Sequence, residues 1–350
     1  MNKLLRSVSV KKKAVVFTLL LTLGLSYGFA KKLAKLPQLT NPISIEIHDH
    51  ELYVLDDVVV YVYSLKDYRL LRKFGKKGEG PGKLSPNSEV PLAMNIFNGD
   101  VFLNSQIKMI RFSKTGEIIK EQQIPFSFQI IPFGKNYVSI KLTVRHNMPT
   151  FNVILYDSRF NNLKALYSRE RIPRSRRGKL PLPPELIIIR SSGDKLFVFD
   201  QKKDFYINVY DTEGNQLAPI KMDSRKIKVT DSFKKDALEW FKLHPSFKMV
   251  TEELREMIYF PDYLPVMRNF LVKDQKIYVQ TYNTRDNLSE FITLNLKGEL
   301  IKQVFLPGCE NSPVQFTASN IFTFFNENYY YLEDHKGEWS LHVVHVEKIK

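Results

Sequence analysis

Phe74-Gly-Lys-Lys-Gly-Glu-Gly-Pro-Gly-Lys-Leu84 places four of the chain's 15 glycines, Gly75, Gly78, Gly80 and Gly82, within eight positions. Strand-like runs lie on both sides, and neither flank has a helical period. The stretch reads as a loop that leaves one small antiparallel sheet for the next. It contains neither G-x-x-x-x-G-K-S/T nor G-x-G-x-x-G, and no helix follows to present its N-terminus to a phosphate. Its glycines therefore read as turn formers in a connector.

Outward from this loop, the sheets repeat. A polar turn precedes an aromatic or β-branched run in Asp49-His-Glu-Leu-Tyr-Val54, Gly99-Asp-Val-Phe-Leu103, Gly134-Lys-Asn-Tyr-Val-Ser139, Asp194-Lys-Leu-Phe-Val198, Asp274-Gln-Lys-Ile-Tyr-Val279 and Glu327-Asn-Tyr-Tyr-Tyr331. The equivalent positions Tyr53, Phe102, Val138, Phe197, Tyr278 and Tyr330 are 49, 36, 59, 81 and 52 residues apart. That is a loose period near the ~40–50 residues of a propeller blade. A third strand follows in five units, at 59–63, 109–112, 153–156, 207–210 and 291–294. Three of these strands lead into one kind of turn: Ser113-Lys-Thr-Gly116, Asp211-Thr-Glu-Gly214 and Asn295-Leu-Lys-Gly298. The opening Ser, Asp or Asn bonds to backbone amides, and glycine closes the turn at a positive φ. Ser64-Leu-Lys-Asp67 and Asp157-Ser-Arg-Phe160 lack that glycine and are expected to be looser. Fourth strands follow, as at 70–74 and 117–124.

A sheet of this kind cannot bury both faces alone, whereas six packed radially can. The fold expected is all-β, a six-bladed β-propeller over 31–350. The last unit ends at its third strand, so residues 32–40 are expected to supply its fourth and close the ring, with Pro37 tolerated on an outermost strand. A helical insertion at 230–260 interrupts the pattern between the fourth and fifth units. Asp231 or Ser232 caps its first helix, which carries Ala237, Leu238 and Phe241; a second carries Val250 and Leu254.

The chain has 350 residues, of which 43% are hydrophobic and 25% charged, enough apolar material for a real core. Phe (25) and Tyr (17) are abundant, which favours strands. A single cysteine, Cys309, excludes an internal disulfide framework. Residues 1–13 are basic, 14–25 form an apolar run of 12, and Gly28 and Ala30 are small. This is the order of a secretory signal peptide over 1–30; an uncleaved anchor is the alternative, although the run is short for a span of about 20 residues. The expected location is therefore extracytoplasmic. The formal charge of +15 favours anionic partners such as phosphate head groups or acidic glycans. Nucleic acid ranks low for an exported chain, and membrane contact is expected only through an uncleaved leader.

With these residues in hand, the chain resembles the bacterial six-bladed propellers related to NHL-repeat proteins. The resemblance rests on the leader, the glycine loop, Tyr-Asp-Thr-Glu-Gly at 210–214 and Phe-Pro-Asp-Tyr-Leu-Pro at 260–265. It implies a fold and an exported location more than a reaction. Propeller lactonases hold a channel metal with acidic and amide side chains. The corresponding positions here are Glu46, Asn95, Arg190, Arg268 and Asn269, a mixed and cationic set that suits an anionic ligand better than a metal. No histidine spacing matches a metal-ligand set, no nucleophile motif is present, and no cofactor is expected. The densest basic run includes Arg169, Arg171, Arg174, Arg176 and Arg177 and is a second candidate surface for an anionic glycan or head group. A monomeric binding or scaffold module is the leading expectation, and a lactonase-like hydrolase or lyase is the alternative.

Overall fold

The computed structural model describes residues 30–85, 92–127, 129–145, 148–170, 180–222, 225–243, 256, 258–308 and 320–349. They form a six-bladed β-propeller of four-stranded antiparallel sheets. The inner strands are Pro42–His48, Ala93–Phe97, Gln129–Phe133, Ile187–Ser192, Asn269–Lys273 and Phe322–Phe325. Each lies against the inner strand of the next unit, and the last lies against the first, so the circle is closed.

The repeat read from the sequence holds in register. Every inner strand turns back through two residues. In four units both are left-handed, as in Asp49-His50 (φ 47° and 61°) and Asp274-Gln275 (φ 50° and 58°). In the other two, Gly134 and Gly193 carry the positive φ. Tyr53, Phe102, Val138, Phe197, Tyr278 and Tyr330 each lie three residues past that turn. They face Glu46, Asn95, Ile131, Arg190, Leu271 and Thr323 across the hairpin.

The core is divided among the junctions. Six apolar clusters each join two neighbouring units, for example Leu55 and Val60 of unit one with Leu103 and Ile110 of unit two. The ring closes as the sequence suggests: Lys31–Lys35 pairs antiparallel with Glu338–His345. That strand ends at Lys35, so Pro37 lies beyond it.

Two expectations need correction. The turns without glycine are not loose. Tyr68 (φ 59°) and Phe160 (φ 63°) occupy the left-handed position themselves. The Phe160 amide still donates to the Asp157 carbonyl at 3.0 Å, while the Asp157 side chain accepts from the Arg159 and Asn161 amides. Ring packing holds Phe160 there, stacked 4.7 Å from Tyr137. The insert helix, Asp231–Leu243, is capped by Thr230, whose Oγ1 accepts from the Phe233 amide at 3.2 Å. Its packed face is Phe233, Ala237 and Trp240, laid on Leu182, Ile258 and Phe260, whereas Leu238 lies outside that cluster. Counted from Pro42, the helix lies between units four and five; counted from the closing strand, it lies between five and six. The second expected helix falls outside the described residues, apart from Glu256.

Five of the six outer strands carry a further regularity. In units one, two and five the outer strand has one extra residue relative to its partner, Leu71, Ile119 and Ile301, and in unit three it has two, Leu163 and Leu166. In the closing strand the extra residue is Leu33. A bulge of this kind twists an edge strand and discourages pairing with another chain.

Candidate functional site

The channel enclosed by the inner strands holds a cavity of about 70 Å³, room for a few waters or a small polar group. Five of the six inner strands line it. Its polar groups are Glu46, Asn95, Gln129, Arg190, Ser191 and Lys273, and its walls include Ile131, Ile189 and Leu271. Glu46, Asn95 and Arg190 share one register position, three residues before the turn, which is why the repeat alone brings them together.

Arg190 is the centre of the polar network. Its guanidinium donates to the Phe270 carbonyl at 3.0 Å, to its neighbour Ile189's carbonyl at 3.0 Å and to Asn269 Oδ1 at 2.9 Å. Asn269 is fixed in turn: its Oδ1 accepts from the Phe270 amide at 2.8 Å and its Nδ2 donates to Asn320 Oδ1 at 2.7 Å. Burial draws the Arg190 pKa down to about 10, with the negative charge of Glu46 acting in the opposite direction. Glu46 accepts from Lys273 Nζ at 2.5 Å, an ion pair joining units one and five past unit six. The lining groups thus comprise two cations and one carboxylate.

The sequence-predicted residues divide into three groups. Asn95 and Arg190 line the cavity, and Asn269 supports Arg190 from behind. Arg268 is buried elsewhere, 5.9 Å from the Tyr282 ring, and its carbonyl accepts from Gln201. Arg171, Arg174, Arg176 and Arg177 lie outside the described residues. Their neighbour Arg169 does not belong to a solvated basic surface: it is buried against Asp200 and donates to the Glu185 carbonyl at 2.8 Å. Lys273 and Gln129 were missed. Lys273 is the last residue before its turn, the same place as His48, and the turn position itself was the signal for it.

The channel's polar side chains are mostly engaged within the protein. Among the described residues no three His, Cys, Asp or Glu side chains converge as metal ligands. Ser191 Oγ donates to the Pro132 carbonyl at 3.1 Å instead of facing a base. The glycine loop is satisfied internally as well: the Gly82 amide donates to Glu121 at 2.6 Å, and Lys108 donates to the Gly80 and Lys83 carbonyls. Its one amide aimed at an anion already has a carboxylate of its own chain.

No family model matches the chain, so the NHL-repeat resemblance has no match behind it, and no curated protein matches either. The chain is similar to a solved DUF4221-family protein from Bacteroides vulgatus, at 11% identity and TM-score 0.47, over 90% of this chain and 95% of that one. It is similar to a protein of unknown function from Bacteroides caccae at 8% identity and TM-score 0.42, over 77% and 82%. It is also similar to the AfRom2 CNH domain at 11% identity and TM-score 0.41, over 90% and 99%.

Proposed function

We infer that this chain is an exported, non-enzymatic binding module whose channel takes a small carboxylate- or phosphate-bearing ligand of the cell envelope. The observation that carries the reading is the polar lining: Arg190 and Lys273 against the single carboxylate Glu46, with the Asn95 and Gln129 amides beside them and apolar walls behind. Pockets of this make-up orient a ligand through a few polar groups while the walls exclude water. The lactonase-like alternative needs convergent acids, and the one lining carboxylate is engaged by Lys273.

The reading is tested by calorimetric titration of the purified protein with acetate, glucuronate and inorganic phosphate. At least one of these anions is expected to bind, with Arg190→Gln and Lys273→Gln each weakening it at least about tenfold. For acetate and glucuronate, which keep one negative charge throughout, affinity is expected to fall as pH rises through about 10, where Arg190 loses its charge. Binding that survives both substitutions would place the ligand elsewhere on the ring.

A further inference from the structure

The channel lining is divided by sign. Arg190 and Lys273 come from the adjacent units four and five, whereas Glu46 and Asn95 come from the adjacent units one and two. Glu46 and Asn95 share a register position on neighbouring inner strands, which sets a carboxylate beside an amide. The two halves meet where Lys273 Nζ donates to Glu46 Oε2 at 2.5 Å. An ammonium has three donors and a carboxylate has two oxygens. Among the described residues, that contact leaves two Lys273 donors and the Glu46 Oε1 without a hydrogen bond. The Asn95 carboxamide lines the cavity and likewise makes no hydrogen bond among the described residues. The Arg190 guanidinium, held by carbonyl and amide oxygens, adds its positive field to the side of Lys273.

A lone anion suits half of this lining, because whatever reaches Lys273 also meets Glu46. Building on the channel as the anion site, we propose that it takes a small α-amino acid, of glycine or alanine size, as the zwitterion. The ligand carboxylate accepts from Lys273 Nζ on the side of Arg190, and its ammonium donates to Glu46 Oε1 and the Asn95 carbonyl. Each charge then has an opposite charge beside it, and the Lys273–Glu46 pair stays intact instead of being broken by the ligand. Glu46 becomes the discriminating residue: it rewards an ammonium one carbon away from the carboxylate and repels a ligand that lacks it. Size sets the second limit. The cavity of about 70 Å³ is roughly half the volume of about 150 Å³ that admits benzene, so it holds a head group of a few heavy atoms and no large side chain.

The test is calorimetric titration of the purified protein at pH 7 with glycine, acetate and methylammonium, which carry both charges, the carboxylate alone and the ammonium alone. Glycine is expected to bind at least about tenfold more tightly than either. Phenylalanine, with the same charged head and a large side chain, is expected not to displace it. Glu46→Gln and Asn95→Leu are each expected to reduce the preference for glycine over acetate at least about fivefold. Melting curves establish that both variants fold, and Asn95→Leu removes no hydrogen bond made within the described residues. Acetate binding as tightly as glycine would overturn the proposal and leave the anion reading standing. Methylammonium matching glycine, or a preference for glycine that survives both substitutions, would also overturn it. Silence from glycine, acetate, glucuronate and phosphate alike would remove both readings of the channel.

Discussion

At the residue scale, the glycines differ in what they do. A Cβ built on Gly75 (φ 96°) would lie 2.3 Å from the Val58 carbonyl oxygen, whereas one on Gly80 (φ 92°) would meet nothing within 4 Å. Gly75→Ala therefore combines backbone strain with a clash against main chain that cannot step aside. It is expected to destabilise the fold by about 2–4 kcal/mol, while Gly80→Ala costs only the left-handed backbone term of about 1–2 kcal/mol. Chemical denaturation of the two variants measures the difference. Glu51 offers a pH-dependent test. Arg72 donates to both its oxygens, at 2.9 and 2.5 Å, and holds its carboxyl below the usual carboxylate range. A lowered folded pKa means stability that is fully present above the unfolded pKa near 4.5 and lost as pH falls through the folded value. Wild type and Glu51→Gln are expected to differ by about 1 kcal/mol at pH 7 and to converge in acid melts. The left-handed Tyr68 and Phe160 show why a residue-by-residue reading of turns failed. Glycine signals a positive φ, but packing can impose one on an aromatic residue, and packing is not written in four-residue windows.

At the scale of elements, the junctions between units do most of the holding. The turn after each third strand packs on the outer strand of the unit before. Gly116 lies against the Phe74 ring, and the Gly214 carbonyl accepts from Lys164 at 2.8 Å. Gly298 faces the Lys221 carbonyl. Asp200 is the buried case: it sits in unit four and takes Arg169 and the Tyr167 hydroxyl, the latter at 2.5 Å, from unit three. Arg169→Leu would leave that carboxylate buried with its cation gone, and a loss of about 3–5 kcal/mol is expected in denaturant melts. The order of strands, the hairpin register and the closing strand were all legible in sequence, because each follows from turn residues and alternation. Arg169 was misread as surface because charge composition carries no information about a partner some 30 residues away in the next unit. The channel was half legible for the same reason. Glu46, Asn95 and Arg190 follow from the repeat, whereas the Lys273–Glu46 pair joins non-adjacent units and exists only once the ring is closed.

At the scale of the whole molecule, the ring has no centre of stability apart from its six junctions, so losing any one exposes the core of two units. The pairing of Lys31–Lys35 with Glu338–His345 makes the first and last parts of the chain one sheet. For a chain synthesised from its N-terminus, this fixes a timetable. The first strand emerges early and must wait, unpaired, for a partner about 300 residues behind it. The entropic cost of that closure grows only with the logarithm of its length, so the delay is one of synthesis more than of search. During that interval both edges of Lys31–Lys35 are open. A premature stop that removes only the final 13 residues takes away Glu338–His345, leaves the early strand unpaired and leaves Asn328–His335 paired on one side only. Small C-terminal truncations are therefore expected to be rejected as whole-molecule failures, and pulse-proteolysis of nascent chains of graded length would show protection appearing in a single late step.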